Sequence, residues 1–175
     1  MKILYAPTYR EQNDALHANC LCGYDIQILE TLCDALKSQK IPRNEGGGNS
    51  LLENNVFYLP HPKTPSNYSK VITQSLKGYP LKTIKTLSQA KNVNTLVTDA
   101  SKLSLAFSML TKQPSIIFLP SLNINFGEDR FSQFLLNCCF FANSLETLEH
   151  IILAYPQLAL EKQANIEKFL EEDLL

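Results

Sequence analysis

Side chains able to do phosphate chemistry gather in three short segments of this 175-residue sequence. Thr98-Asp99-Ala100-Ser101-Lys102 ends an apolar run and opens a helical pattern. Thr98 and Ser101 offer hydroxyls to an anion, and Lys102 either neutralises a phosphate or sits solvated on the helix. Asp99 either accepts from a ribose or sugar hydroxyl or caps the helix. His61 stands between Pro60 and Pro62. An imidazole can shuttle a proton or, when protonated, stabilise phosphate charge, and the flanking prolines stiffen its loop. The competing reading is a structural histidine whose ring bonds a nearby carbonyl. Arg10 lies in the long polar segment 6–22. Its planar fork suits a phosphate, or it pairs with Glu11 or Asp14.

The elements that must position these groups are legible in outline. Val93–Pro120 reads as strand, polar turn, helix and strand. A polar turn between a parallel strand and a helix aims backbone N–H groups and the positive end of the helix dipole at one spot, which favours an anion. The unit points to a nucleotide or phosphate ligand and does not by itself name a reaction. Around it, Lys2–Tyr5 and Asn55–Leu59 read as strands and Tyr24–Lys40 as an amphipathic helix. Ser66 caps a helix through Leu76, Tyr79–Ile84 is a short strand or a loop, and Leu87–Lys91 is a helical turn. Phe131–Leu136 is helical, Cys138–Ala142 is a last strand, and Ser144 caps a helix. Pro156 is expected to start a separate final helix, residues 156–175, packed on a domain of residues 1–155. Alternation of strands and helices predicts an α/β fold, a Rossmann-like parallel sheet with helices on both faces. Ligands of such sheets bind at the carboxyl ends of the strands, where the strand order reverses.

Composition narrows the partners. Sixteen basic residues against 17 acidic ones give a net charge of −1, and no Lys or Arg run suggests a nucleic-acid partner. No stretch approaches the roughly 20 apolar residues of a membrane span, and the first ten residues are too polar for a signal peptide. Five cysteines without a secretory signal read as reduced thiols, which places the chain in the cytoplasm. His17, Cys20 and Cys22 have the wrong spacing for a zinc site, so no metal and no cofactor are expected. Gly46-Gly47-Gly48 reads as a linker, because neither GK[ST] nor GxGxxG accompanies it.

Three of the segments together resemble a known family. Leu4-Tyr5-Ala6-Pro7-Thr8-Tyr9-Arg10 resembles the segment opening the C-terminal domain of CDP-glycerol glycerophosphotransferases, the teichoic-acid polymerase-like enzymes of the cell envelope. Leu59-Pro60-His61-Pro62 is similar to their histidine–proline motif. Val97-Thr98-Asp99-Ala100-Ser101, then Phe107-Ser108-Met109-Leu110 and Pro114-Ser115-Ile116-Ile117-Phe118, resembles their "[ST]-D-Y-S-S…ALL-x-[KR]-P-I-I-F" segment. The resemblance covers about the first 120 residues. Ala100 replaces the motif tyrosine, Lys102 its second serine and Ala106 an acid.

The resemblance implies the C-terminal half of a B-type glycosyltransferase fold (GT-B) that binds a nucleoside-diphosphate donor such as CDP-glycerol. The diphosphate would lie near Thr98, Asp99, Ser101 and Lys102, with Arg10 beside it and His61 at the transferring phosphate. The family's remaining catalytic groups come from an N-terminal domain. The implied partners are therefore such a domain or a second copy of the chain, and through the partner a peripheral contact with the inner face of the membrane. Two alternatives stay open: a non-catalytic nucleotide-binding or oligomerisation module, and a relative of UDP-sugar transferases or epimerases.

Overall fold

The computed structural model describes residues 1–8, 24–39, 55–90, 92–120 and 126–172. Six strands form one parallel sheet: β1 (Ile3–Tyr5), β2 (Val56–Tyr58), β3 (Leu81–Thr83), β4 (Thr95–Thr98), β5 (Ile116–Phe118) and β6 (Phe140–Ala142). Their order is β3-β2-β1-β4-β5-β6. Ile3 is in register with Val56 on one side and with Thr95 on the other, so β1 and β4 flank the point where the order reverses. The inner strands read as continuous apolar runs because both of their faces are covered. The fold is the expected α/β, Rossmann-like arrangement.

Right-handed crossovers from a central β1 send successive helices to opposite faces. Helices α1 (Asp25–Gln39) and α2 (Ser66–Ser75) cover one face, and α3 (Lys102–Thr111) and α4 (Arg130–Cys138) the other. Side chains alternate accordingly. Ile3, Tyr5, Val56, Tyr58, Val97, Ile116 and Phe118 pack under Ile28, Leu29, Leu32 and Ile72. Leu4, Phe57 and Leu96 meet Phe107, while Ile117 and Leu119 meet Phe134 and Leu135. The long α5 (Leu145–Glu172) serves both faces. Its Leu148 and Ile152 join the α1 side, and its Ile166 and Phe169 join the α4 side.

Two expectations need correction, and one open alternative is decided. Ser66 is the first helical residue rather than the cap of α2; Pro65 holds the cap position without a side-chain hydrogen bond. Of the two alternatives for Tyr79–Ile84 the strand is the one formed: it contains β3, a half-polar edge strand. The final helix does not start at Pro156, since α5 runs through it. A proline inside a helix leaves the carbonyl four residues back without its donor. Here that carbonyl belongs to Ile152, and the Gln39 side-chain amide donates to it at 2.8 Å. The helix therefore survives because α1 supplies the missing donor. Gln39→Ala is expected to lower stability by about 1 kcal/mol. In a thermal-melt double-mutant cycle, Pro156→Ala should remove that sensitivity.

Ser144 does cap α5, its hydroxyl accepting from the Thr147 amide at 3.1 Å. Cys33, Cys138 and Cys139 are buried free thiols, and burial raises them to about 12, 11 and 12. They pack as small apolar side chains and are poor nucleophiles at neutral pH.

Candidate functional site

Strands β1 to β4 end on one side of the sheet, and their exits surround a cleft of about 510 Å³. Ala6, Pro7 and Thr8 leave β1; Leu59, Pro60, His61 and Pro62 leave β2. Lys85, Thr86 and Leu87 follow β3, and Ser101, Lys102 and Leu103 follow β4. The cleft thus spans the reversal of strand order, where open α/β sheets hold their ligands. Among the described residues its walls carry two lysines, a histidine and no carboxylate.

The β1–β4 junction is fastened beneath this cleft. The Ala6 amide donates to the Val97 carbonyl at 3.0 Å. Thr98 is fully buried, and its hydroxyl donates to the Ala6 carbonyl at 2.7 Å. Asp99, 1% exposed, accepts from the Thr8 hydroxyl. Neither Thr98 nor Asp99 lines the cleft; both hold its floor. Asp99 is not the helix cap either, since Ser101 occupies that position in extended conformation (φ −118°, ψ 154°). One residue, Ala100, separates Asp99 from the cap, and the Ser101 amide turns back onto the Asp99 carbonyl at 2.7 Å.

Ser101 makes no side-chain cap bond to α3. Its Oγ lies 3.3 Å from Thr98 Oγ1. The Thr98 proton is committed to Ala6, so Ser101 donates to Thr98 and can turn to another acceptor at small cost. The first amides of any α-helix lack an acceptor within it. Those of Lys102 and Leu103 therefore open beside the cleft that these residues line. A small oxyanion placed there meets two amides, a hydroxyl, an ammonium and the positive end of the dipole.

His61 sits across the cleft. Its Nδ1 accepts from the Lys63 amide at 3.1 Å, and its own carbonyl accepts from Thr64 at 2.8 Å. The ring is thus bonded to a backbone amide through Nδ1. With Nδ1 an acceptor, the neutral ring carries its proton on Nε2. The arrangement suits donation to an oxyanion better than abstraction of a proton.

Of the residues singled out from sequence, the structure brings His61, Ser101 and Lys102 together and places Thr98 and Asp99 behind them. Arg10 and the His17, Cys20 and Cys22 cluster lie outside the described residues, as does Gly46-Gly47-Gly48. Sequence reasoning missed Thr8 and the Lys85-Thr86-Leu87 wall. The signal for the latter was the strand preceding it: with β3 recognised, Lys85 falls at a strand exit.

A six-stranded parallel sheet in this order, with a cleft at its switch point, defines an α/β, Rossmann-like domain. Among solved structures it is similar to a crystal structure of TarM, over 99% of its own length, with a TM-score of 0.50 and 14% identity. The chain spans 34% of the length of that chain, so it corresponds to about a third of TarM. At this identity the likeness establishes the fold and nothing finer. No protein-family model and no curated protein matches the chain. No described helix is long and apolar enough to cross a membrane.

Proposed function

We propose that the cleft binds the diphosphate of a nucleotide-linked donor, and that the chain is the donor-binding part of a CDP-glycerol glycerophosphotransferase-like transferase. The observation that carries this reading is the convergence of Ser101, Lys102 and the α3 N-terminus with His61 on a cleft whose described lining has no carboxylate. In the reaction, an acceptor hydroxyl attacks the donor β-phosphorus, a new O–P bond forms, and the bond to CMP breaks. Lys102, Ser101 and the α3 amides hold the phosphate oxygens, and His61 donates to the charge that develops. These are contributions of position and electrostatics. The acceptor hydroxyl must also lose a proton. His61 is held as a donor, so the base comes from a partner domain or a second copy.

A non-catalytic nucleotide-binding module is the second reading. It is favoured by Lys102 at the motif's second serine, since a lysine there retains anion binding without reproducing the motif's hydroxyl.

Titration calorimetry with CDP-glycerol, CDP, CMP, UDP and inorganic phosphate tests the reading. Saturable binding of CDP ligands is expected, weakened about tenfold by Ser101→Ala, the loss typical of one hydrogen bond to a charged group. Absence of binding to every ligand would remove donor binding from the account. Binding of CDP-glycerol without turnover, after addition of candidate partner domains, would favour the non-catalytic module.

A further inference from the structure

The chain's near-zero net charge hides a segregation that appears only when the sequence is folded. No Asp or Glu occurs between Glu53 and Asp99. Within that stretch Lys63, Lys70, Lys77, Lys82 and Lys85 are all exposed. They stand on the β2 exit, on α2, on the turn after it, on β3 and on the β3 exit. Together they clothe the β3 edge of the sheet. Among the described residues none of the five pairs with a carboxylate. The β6 half is the reverse: α5 alone exposes Glu146, Glu149, Glu161, Glu167, Glu171 and Glu172 against Lys162 and Lys168. The two sheet edges are five strand spacings apart, about 24 Å, so the charged groups of the described residues form an axis lying in the sheet.

A lysine on an edge strand discourages strand pairing, which accounts for Lys82. The other four lie outside β3 and need another reason. We propose that the β3 edge docks onto an anionic lipid surface, with the acidic α5 side turned away. The basic groups are all lysines, compact point charges suited to diffuse attraction rather than to bidentate reading of single phosphates. Among the described residues this edge presents no open base-stacking platform: the Tyr68 hydroxyl is bonded to Asp25, and the Tyr79 ring lies under the Lys37 ammonium at 4.2 Å. Val71, 52% exposed beside Lys70, adds an apolar contact at headgroup depth. A second copy offering its acidic side would make only exposed ion pairs, which are weak and screened. Each lysine near an anionic leaflet strengthens attachment about fivefold. Lys63 and Lys85 adjoin the cleft, so docking by this edge would hold the cleft mouth beside the surface. The inference stands apart from donor binding.

The test is vesicle co-sedimentation of the full chain. Phosphatidylcholine vesicles containing about one-third phosphatidylglycerol are compared with pure phosphatidylcholine, at low and at physiological salt. The variant carries Lys63→Glu, Lys70→Glu, Lys77→Glu and Lys82→Glu, leaving Lys85 in the cleft intact. The expected result is salt-sensitive binding to the anionic vesicles only, reduced at least 30-fold in the variant. A Lys→Gln version of the same variant, with an unchanged melting curve, guards against misfolding and should lose most of the binding. Equal binding to both vesicle types, no binding, or unaltered binding by the Gln variant would overturn the proposal. So would salt-sensitive self-association in ultracentrifugation that disappears in the Gln variant, which would assign the edge to a second copy.

Discussion

Lys102→Glu is expected to weaken CDP binding by about 30- to 100-fold, roughly 2–3 kcal/mol, without lowering the melting temperature. The two readouts move independently for a physical reason. Lys102 is the first residue of α3 and is exposed on the cleft wall. A carboxylate there sits favourably against the helix dipole, so the fold is unharmed or slightly stabilised. The same carboxylate repels the phosphate and competes for the amides of Lys102 and Leu103. A lysine serving only as a solvated helix residue would change neither quantity. Lys102→Met separates the loss of attraction from the gain of repulsion and should show a smaller loss of affinity. Calorimetry with CDP and a thermal melt on the same preparations check both. Equal affinity of the Glu variant and the parent would remove the α3 N-terminus from the site.

Asp25→Ala is expected to destabilise the fold by about 2–4 kcal/mol, because the buried Tyr5 hydroxyl loses its acceptor and the half-buried Tyr68 hydroxyl loses one of its contacts. Asp25 opens α1, is 2% exposed, and accepts from Tyr5 and Tyr68 at 2.7 Å each. The two bonds tie β1, α1 and α2 to one carboxylate. Burial raises its pKa, and the two hydroxyls pull it partly back. The sign of the pH effect follows. The native state holds the Asp25 proton more tightly than the unfolded chain does. This group's contribution to stability is therefore greatest below the unfolded pKa and declines as pH rises through the raised native one. Tyr68→Phe removes one donor to the charged form and raises the native pKa further. Its cost should be about 1.5–3 kcal/mol at neutral pH and should shrink as the pH falls toward about 3, below the ordinary carboxyl pKa, where the carboxyl is mostly protonated in both states. Urea titrations at the two pH values measure it. A pH-independent cost would mean that Asp25 is not the charged acceptor.

The fold was legible because its signals are redundant. Ile3–Tyr5, Val56–Tyr58 and Ile116–Phe118 are apolar runs too short for helices, and Ile28, Leu29, Leu32 and Leu36 repeat at helical spacing. What failed depended on partners distant in sequence. Pro156 breaks a helix by every local rule, and only Gln39, 113 residues away from Ile152, rescues it. The strand β3 is half polar because it is an edge, and edges are set by the whole sheet order.

The site was legible in the same uneven way. Ser101, Lys102 and His61 could be selected because they stand at strand exits in rigid or helix-opening contexts. That Thr98 and Asp99 face inward could not be seen locally. Their orientation is fixed by Ala6 and Thr8, which reach them across the β1–β4 switch. Lys85 was not selected because the half-polar pattern of 79–84 fits a loop as well as a strand, so no strand exit was marked there.

The central claim is that α3 receives a phosphate at its first amides. The most direct measurement is an NMR titration of the isotope-labelled chain with CDP, following the backbone amides of Lys102 and Leu103 and the His61 ring. Saturable shifts are expected at these groups with a common dissociation constant, and none at the α4–α5 end around Asn137 and Asn165. Shifts centred on that far end, or no shift of Lys102 and Leu103 while CDP binds, would contradict the claim.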